Sequence, residues 1–305
     1  MESKNCIRSR LFSYAIGPNR NFEFEQSSRL LSFFVSLGIF ANRNVYWSVY
    51  EPMNFGDWIT PYLYRKISGK DPVYQATSYF SSTVFSCGSI IRRIQVPNSA
   101  IVWGTGAMST TDVFARPRKV LAVRGRLTQQ LLVKNGIPCP SIFGDPGVLL
   151  PKFYTPSVTS NKYRLGIIPH YKDFGAVQLA LGNLQRDILL IDVTSPIETV
   201  IDQIASCEST VSSSLHGLVV SHAYGIPSSW TSFDFVKESG IEGDGFKFRD
   251  YFSAFSTDFE SIPASVSDPS ILLSPKFIDR VKAERAPDTK FLSENLLACC
   301  PFVNF

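Results

Sequence analysis

The chain has 305 residues, 44% of them hydrophobic, 18% charged and 13% aromatic, which excludes disorder, a collagen-like fibre and a disulfide-stapled miniprotein. At about 100–200 residues per domain its length implies two domains. Thirty Lys plus Arg against 26 Asp plus Glu leave a charge of +4, too small and too dispersed a surplus for a nucleic-acid partner but suited to an anionic small ligand.

Met1 to Glu25 is polar and mixed in charge, unlike a secretory leader. Leu30 to Phe40, interrupted by Ser32 and Ser36, is about half of the roughly 20 residues a spanning helix needs. It predicts a core helix, and the expected protein is cytosolic with no integral membrane segment. Cys6, Cys87, Cys139, Cys207, Cys299 and Cys300 show neither C-x-x-C spacing nor a His at ligand spacing, so the thiols are expected to be reduced and mostly buried, with no metal site and no cofactor.

From Asn44 onward, apolar runs alternate with Gly and Pro. Gly56-Asp57 marks a turn into an apolar helix, with Asp57 a candidate cap. Ile101–Trp103 and Val120–Val123 predict buried parallel strands, each followed by a helix. The second of these helices covers Leu127 to Asn135 and stops at Gly136. Ser141–Phe143 is the next expected strand. Arg164–Ile168 and Asp187–Val193 predict further strands. Ser195-Pro196-Ile197-Glu198 then predicts a helix capped by Ser195, with Glu198 closing a capping box. Thr210–Ser213 predicts a strand, Leu215–Tyr224 a helix ended by Gly225 and Pro227, and Ser229–Phe233 another strand. Residues 275–305 predict helix interrupted by Pro287.

This alternation predicts an α/β protein with two Rossmann-like domains facing a cleft. The expected division is an extension over 1–44, a first Rossmann-like domain over 45–155, a second over 156–274, and a helical segment over 275–305 that packs back on the first. The boundary is placed in the Pro-, Ser- and Thr-rich stretch Pro151–Asn161.

Three histidines are present: His170, His216 and His222. His216 falls in the first turn of a helix directly after a strand, at the carboxyl end of a parallel sheet, where ligands bind in this architecture. Ser212, Ser213 and Ser214 precede it and Gly217 follows, and amides at such a helix start can hold an anion. The alternative is a polar capping cluster without chemistry. His170 also ends a strand, with Lys172 two residues on. His222 lies among Leu218 and Val219 on an apolar face and is expected to be a satisfied core residue. Gly104, in Trp103-Gly104-Thr105-Gly106, suggests close backbone approach to a ligand, without a dinucleotide fingerprint. Gly144-Asp145-Pro146-Gly147 is read as a tight structural turn. No Ser-His-acid triad, HExxH or Walker loop is present.

Seven motifs occur in order: NFGD (54–57), WGTG (103–106), AVRGRLT (122–128), GDPGVLLP (144–151), IIPHY (167–171), SSSLHGLVVSHAYGIP (212–227) and FKFRDYF (246–252). Together they resemble the polysaccharide pyruvyl transferase family, most closely its xanthan-type ketal pyruvyltransferases. The resemblance implies a fold of the two-domain GT-B type, phosphoenolpyruvate as donor, and a sugar of an exopolysaccharide, glycan or lipid-linked oligosaccharide as acceptor. An acceptor of the last kind would bring the protein to a membrane periphery. It also places the catalytic histidine at His216. Some relatives carry an Arg two residues before that histidine, where this chain has Ser214, so the donor's charge must be met elsewhere. His170, Lys172 and Lys247 are the expected replacements beside Ser213, Ser214 and Gly217. Asn54, Asp57 and Gly104 are expected on the acceptor side. A nucleotide-sugar glycosyltransferase and a catalytically silent glycan-binding protein remain open alternatives.

Overall fold

The computed structural model describes residues 44–49, 52–77, 79, 82–157, 162–237, 244–256 and 262–303. The helix expected at Leu30–Phe40, the extension up to residue 43 and Cys6 lie outside them. In chain order the elements of the first half are β1 (Asn44–Tyr46), α1 (Phe55–Ser68), β2 (Val73–Tyr74), β3 (Thr83–Phe85), a 3-10 turn (Ile91–Arg93), β4 (Ala100–Trp103), β5 (Lys119–Ala122), α2 (Arg126–Lys134) and a 3-10 segment (Pro146–Lys152). The second half has β6 (Leu165–Ile168), α3 (Phe174–Leu181), β7 (Ile188–Leu190), α4 (Ile197–Ala205), β8 (Thr210–Ser212), α5 (Leu215–Ala223), β9 (Ser228–Phe233), α6 (Phe246–Phe252), β10 (Ala264–Val266), α7 (Pro269–Leu273), α8 (Pro275–Ala283) and α9 (Lys290–Ala298).

The strands form two five-stranded sheets, ordered β2-β1-β3-β4-β5 and β10-β9-β8-β6-β7, and every pairing is parallel. Numbered within its own half, each sheet therefore runs 2-1-3-4-5, the doubly-wound order whose ligand crevice opens where the chain reverses direction. That switch point lies between β1 and β3 in the first sheet and between β6 and β8 in the second. The strands are short, and β4, β6 and β7 are almost wholly apolar, whereas β8 and β9 carry buried Ser and Thr.

The halves share one core rather than touching at a rim. The larger of two buried clusters runs from Val45, Phe85 and Trp103 through Leu149 to Val200, Leu218 and Tyr251, and a smaller one around Leu165, Val211 and Val281 belongs to the second half alone. The Phe55 N–H donates to the Val193 carbonyl at 2.7 Å, joining the start of α1 to the chain after β7. α6 is clamped to the first half by Arg124, whose side chain is fully buried. Its Nε donates to Asp250 Oδ2 at 2.9 Å, and its two amino groups donate to Ser89 Oγ and the Ala107 carbonyl. Asp250 also accepts from the Thr128 N–H and hydroxyl. On its other side α6 stacks Phe248 on Trp230 of β9, at 4.5 Å between centroids. The last helix lies on the first sheet, where Trp103 Nε1 donates to the Leu296 carbonyl at 3.0 Å and Phe302 packs edge-on against Tyr64 and Trp103.

Several local expectations give way to tertiary contacts. Glu198 does not close a capping box. The N-cap of α4 is Pro196 and no side chain caps it, because Glu198 turns across to α1, accepting from the Tyr62 hydroxyl at 2.8 Å and lying 3.5 Å from Lys66 Nζ. The cap at α1 is Asn54, with Asp57 at the third position completing a capping box. No helix follows β4, because the chain crosses directly to β5 over residues 104–118. Ser141–Phe143 makes only one parallel bridge, Val123 to Phe143.

Candidate active site

A cavity of about 390 Å³ opens between the two switch points. From the first sheet come Tyr46 at the end of β1 and Ser48 just after it, Asn54 and Asp57 at the start of α1, and Gly88, Ser89, Ile90, Arg92 and Arg93 after β3. From the second come His170, Tyr171 and Lys172 after β6, and Ser214 to His216 after β8. Lys247 of α6 completes the wall; it is 8% exposed, with its Nζ lying 5.5 Å from the Phe248 ring centre. Four cationic side chains, Arg92, Arg93, Lys172 and Lys247, thus face one concave space.

His216 is held by close packing. Its ring stands edge-on to Phe55, and a Cβ placed on Gly56 would lie 2.0 Å from Nδ1. Only glycine fits there. Nε2 points away from Gly56 toward Cys87 Sγ at 3.2 Å and Asp145 Oδ2 at 3.7 Å. Asp145 is fully buried and caps the 3-10 segment by accepting from the Gly147 N–H at 2.9 Å. Burial pushes its carboxyl up, but the neighbouring His216, the Gly147 N–H and Arg124 outweigh that and hold it below the ordinary aspartate value. A carboxylate kept ionised 3.7 Å behind an imidazole helps to fix the orientation of the ring.

Asp57 is a different kind of acid. Its Oδ2 accepts from the Asn54 N–H at 3.2 Å and the Asn54 side-chain amide at 2.8 Å. Burial nevertheless raises it from 3.8 to about 6, against the Asn54 hydrogen bond and the nearby His216. Its protonation therefore changes close to neutrality, where a general base is useful.

The residues expected from the sequence divide into two groups. Asn54, Asp57, His170, Lys172, Ser214, His216 and Lys247 come together around the cavity. Ser213, Gly217 and Gly104 do not line it. Ser213 is buried and accepts from the His170 N–H at 2.9 Å, so it ties the β8 loop to the end of β6. A Cβ on Gly217 would meet Ser212 Oγ at 2.5 Å and Ile168 Cγ2 at 2.7 Å, which makes it a helix-to-strand packing position. Gly104 has φ +86°, and a Cβ there would meet Pro146 at 2.5 Å. It serves the packing of the 3-10 segment. Sequence reasoning missed Arg92, Arg93, Cys87 and the Asp145 contact. The arginine pair after the short apolar run Thr83–Phe85 was the available signal, and Asp145 is both the turn residue expected and the partner of His216.

His222, on the same helix as His216, is 4% exposed. Its ring nitrogens lie 3.2 Å from the Tyr251 hydroxyl and 3.1 Å from the Ser228 carbonyl. Burial lowers it from 6.5 to about 4, against the Ser228 contact, so it is neutral at physiological pH. Among the described residues no helix is long and apolar enough to cross a membrane.

The chain is 34% identical over 164 residues to an uncharacterized protein of Acanthamoeba polyphaga mimivirus, an alignment covering 52% of this chain and 56% of the relative. The chain thus spans little more than half the length of that relative. No solved structure matches. The family model for polysaccharide pyruvyl transferase matches residues 30–234, which takes in both switch points and His216. The chain belongs to the polysaccharide pyruvyl transferase family.

Proposed function

We propose that the protein transfers pyruvate from phosphoenolpyruvate to two hydroxyls of one glycan sugar, forming a cyclic ketal and releasing phosphate. The observation that carries this reading is the meeting of four cationic side chains with an acid-backed histidine in one cavity between two switch points. Phosphoenolpyruvate bears a carboxylate and a phosphate on adjacent groups, and two such anions need several convergent donors. Arg92, Arg93, Lys172 and Lys247 supply the charge that Ser214 cannot, and the amides at the start of α5 add to it.

In this reading His216, with Asp145 behind Nε2, gives a proton to the methylene carbon of the donor. The adjacent carbon gains cationic character and a sugar hydroxyl bonds to it, losing its proton to Asp57. A second hydroxyl of the same sugar then displaces phosphate, which leaves with the electron pair of the broken C–O bond and takes the proton held by Asp57, while the proton of the second hydroxyl restores His216. Asn54 and Asp57 face the acceptor across the cleft, as in a GT-B-like arrangement. The acceptor glycan, free or lipid-linked, would then be modified in the cytoplasm.

Thermal shift of the full chain with phosphoenolpyruvate, UDP or GDP tests the donor. A ligand at 100 times its dissociation constant stabilises by about 2.7 kcal/mol. Selective stabilisation by phosphoenolpyruvate, weakened in Lys247→Ala, is expected. Selective stabilisation by a nucleotide would replace this reading with a nucleotide-sugar glycosyltransferase, and sugar binding with no donor response would replace it with a silent glycan binder.

A further inference from the structure

Behind the cavity wall three side chains from distant parts of the chain converge on a point that the proposed reaction leaves partly unexplained. Cys87 follows β3, Asp145 opens the 3-10 segment and His216 lies in the first turn of α5. Cys87 Sγ is 3.2 Å from His216 Nε2 and 3.2 Å from Asp145 Oδ1, and Nε2 is 3.7 Å from Asp145 Oδ2. One ligand atom from each lies within 4.8 Å of the others. Bonds of about 2.0–2.3 Å at a tetrahedral angle put ligand atoms roughly 3.5 Å apart, so the three lie within about an ångström of the spacing an ion would need.

A second observation points the same way. Asp145 is fully buried, yet its Oδ2 has no hydrogen-bond partner among the described residues. A buried carboxylate oxygen without a donor is a standing penalty that a bound cation removes. The donor set of one imidazole, one thiol and one carboxylate selects among cations. Magnesium and calcium take oxygen ligands, whereas zinc accepts nitrogen, sulfur and oxygen together.

We propose that Cys87, Asp145 and His216 bind one Zn²⁺ ion, with the fourth coordination position open toward the cavity that His216 lines. On binding, the Cys87 S–H bond breaks, its proton passes to solvent and the thiolate electron pair forms the Zn–S bond, with no oxidation or reduction. The same step releases the contact in which Cys87 donates to Asp145 Oδ1. The three ligands are 58 and 71 residues apart in sequence, which is why no ligand spacing revealed them. The inference does not depend on the reaction assigned to the cavity. If that reaction is pyruvyl transfer, the ion takes Nε2 and the Asp145 carboxylate that backs it, and zinc is an inhibitor.

Cobalt(II) titration of the full chain tests this, because a cobalt–thiolate bond gives an intense near-ultraviolet charge-transfer band. The expected result is a band saturating at one equivalent, bleached by Zn²⁺, lost in Cys87→Ser and retained in Cys299→Ser. Absence of the band, or its survival in Cys87→Ser, overturns the proposal. Should Cys87→Ser fail to fold, anomalous scattering at the zinc edge from crystals of the unaltered chain soaked in Zn²⁺ decides. An ion bonded to all three side chains supports the site, and an ion elsewhere or none overturns it.

Discussion

The two ends of α5 each carry a histidine, and their surroundings could hardly differ more. His216, in the first turn, faces a cavity and has a buried carboxylate 3.7 Å behind it. His222, in the last turn, has both ring nitrogens engaged by protein groups and is pushed down to about 4 by burial. The first end of the helix meets the carboxyl edge of the sheet, where chain reversal leaves a crevice, and the last end sinks into packing against α6. A histidine's chemistry here is decided by which end of a parallel β-α unit carries it.

The sharpest test of that contrast is a pair of substitutions. His216→Ala should lower turnover about 10³-fold with a melting temperature near that of the unaltered chain. His222→Ala should do the reverse, losing about 2–4 kcal/mol in denaturant titration while activity per folded molecule stays within about threefold. If both variants lost activity equally at unchanged stability, the contrast would be wrong.

The pH dependence of stability separates the two ends further. His222 binds its proton less tightly folded than unfolded, so its contribution is complete above about 6.5 and is lost as pH falls through about 4. The total is on the order of 3 kcal/mol. Urea titrations from pH 7.5 to 4 should show this loss in the unaltered chain, and His222→Gln should flatten the profile.

At the cavity end, Lys247→Ala or Arg92→Ala should raise the KM for donor about 10- to 100-fold, a loss of roughly 1.4–2.7 kcal/mol per contact, read by steady-state phosphate release. A smaller effect of opposite sign belongs to Asp57. Its folded pKa is raised from 3.8 to about 6, so the stability it contributes is complete below about pH 4 and disappears as pH rises through 6. At pH 8 Asp57→Asn should therefore be more stable than the unaltered chain by about 1–2 kcal/mol, with the gain vanishing near pH 4. The same variant should lose the acid limb near pH 6 in the kcat/KM profile.

Much of this organisation was legible in the residues. Strand β8, helix α5 and the place of His216 follow from a short apolar run, three serines and the Gly225-Pro227 stop, all local signals. β1 to β3 were not legible, because strands of two or three residues buried on both faces have no period to read. The same applies to the partners of His216. Cys87 and Asp145 reach it only through the fold, and Asp145 showed just its local duty as a turn and cap residue. Glu198 shows the converse, a sequence pattern for capping overridden by a tyrosine and a lysine on another helix. Gly104 and Gly217 read as ligand-approach residues when their close contacts are with the protein itself.

The Arg124–Asp250 pair ties the cavity to the joint between the halves. Removing either partner by substitution would leave the other charge buried and uncompensated, which costs about 3–5 kcal/mol. The same guanidinium holds Ser89 of the cavity wall. A joint between the halves is thus also a strut of the cavity wall, so a change at Arg124 or Asp250, neither of which lines the cavity, reaches the site through Ser89.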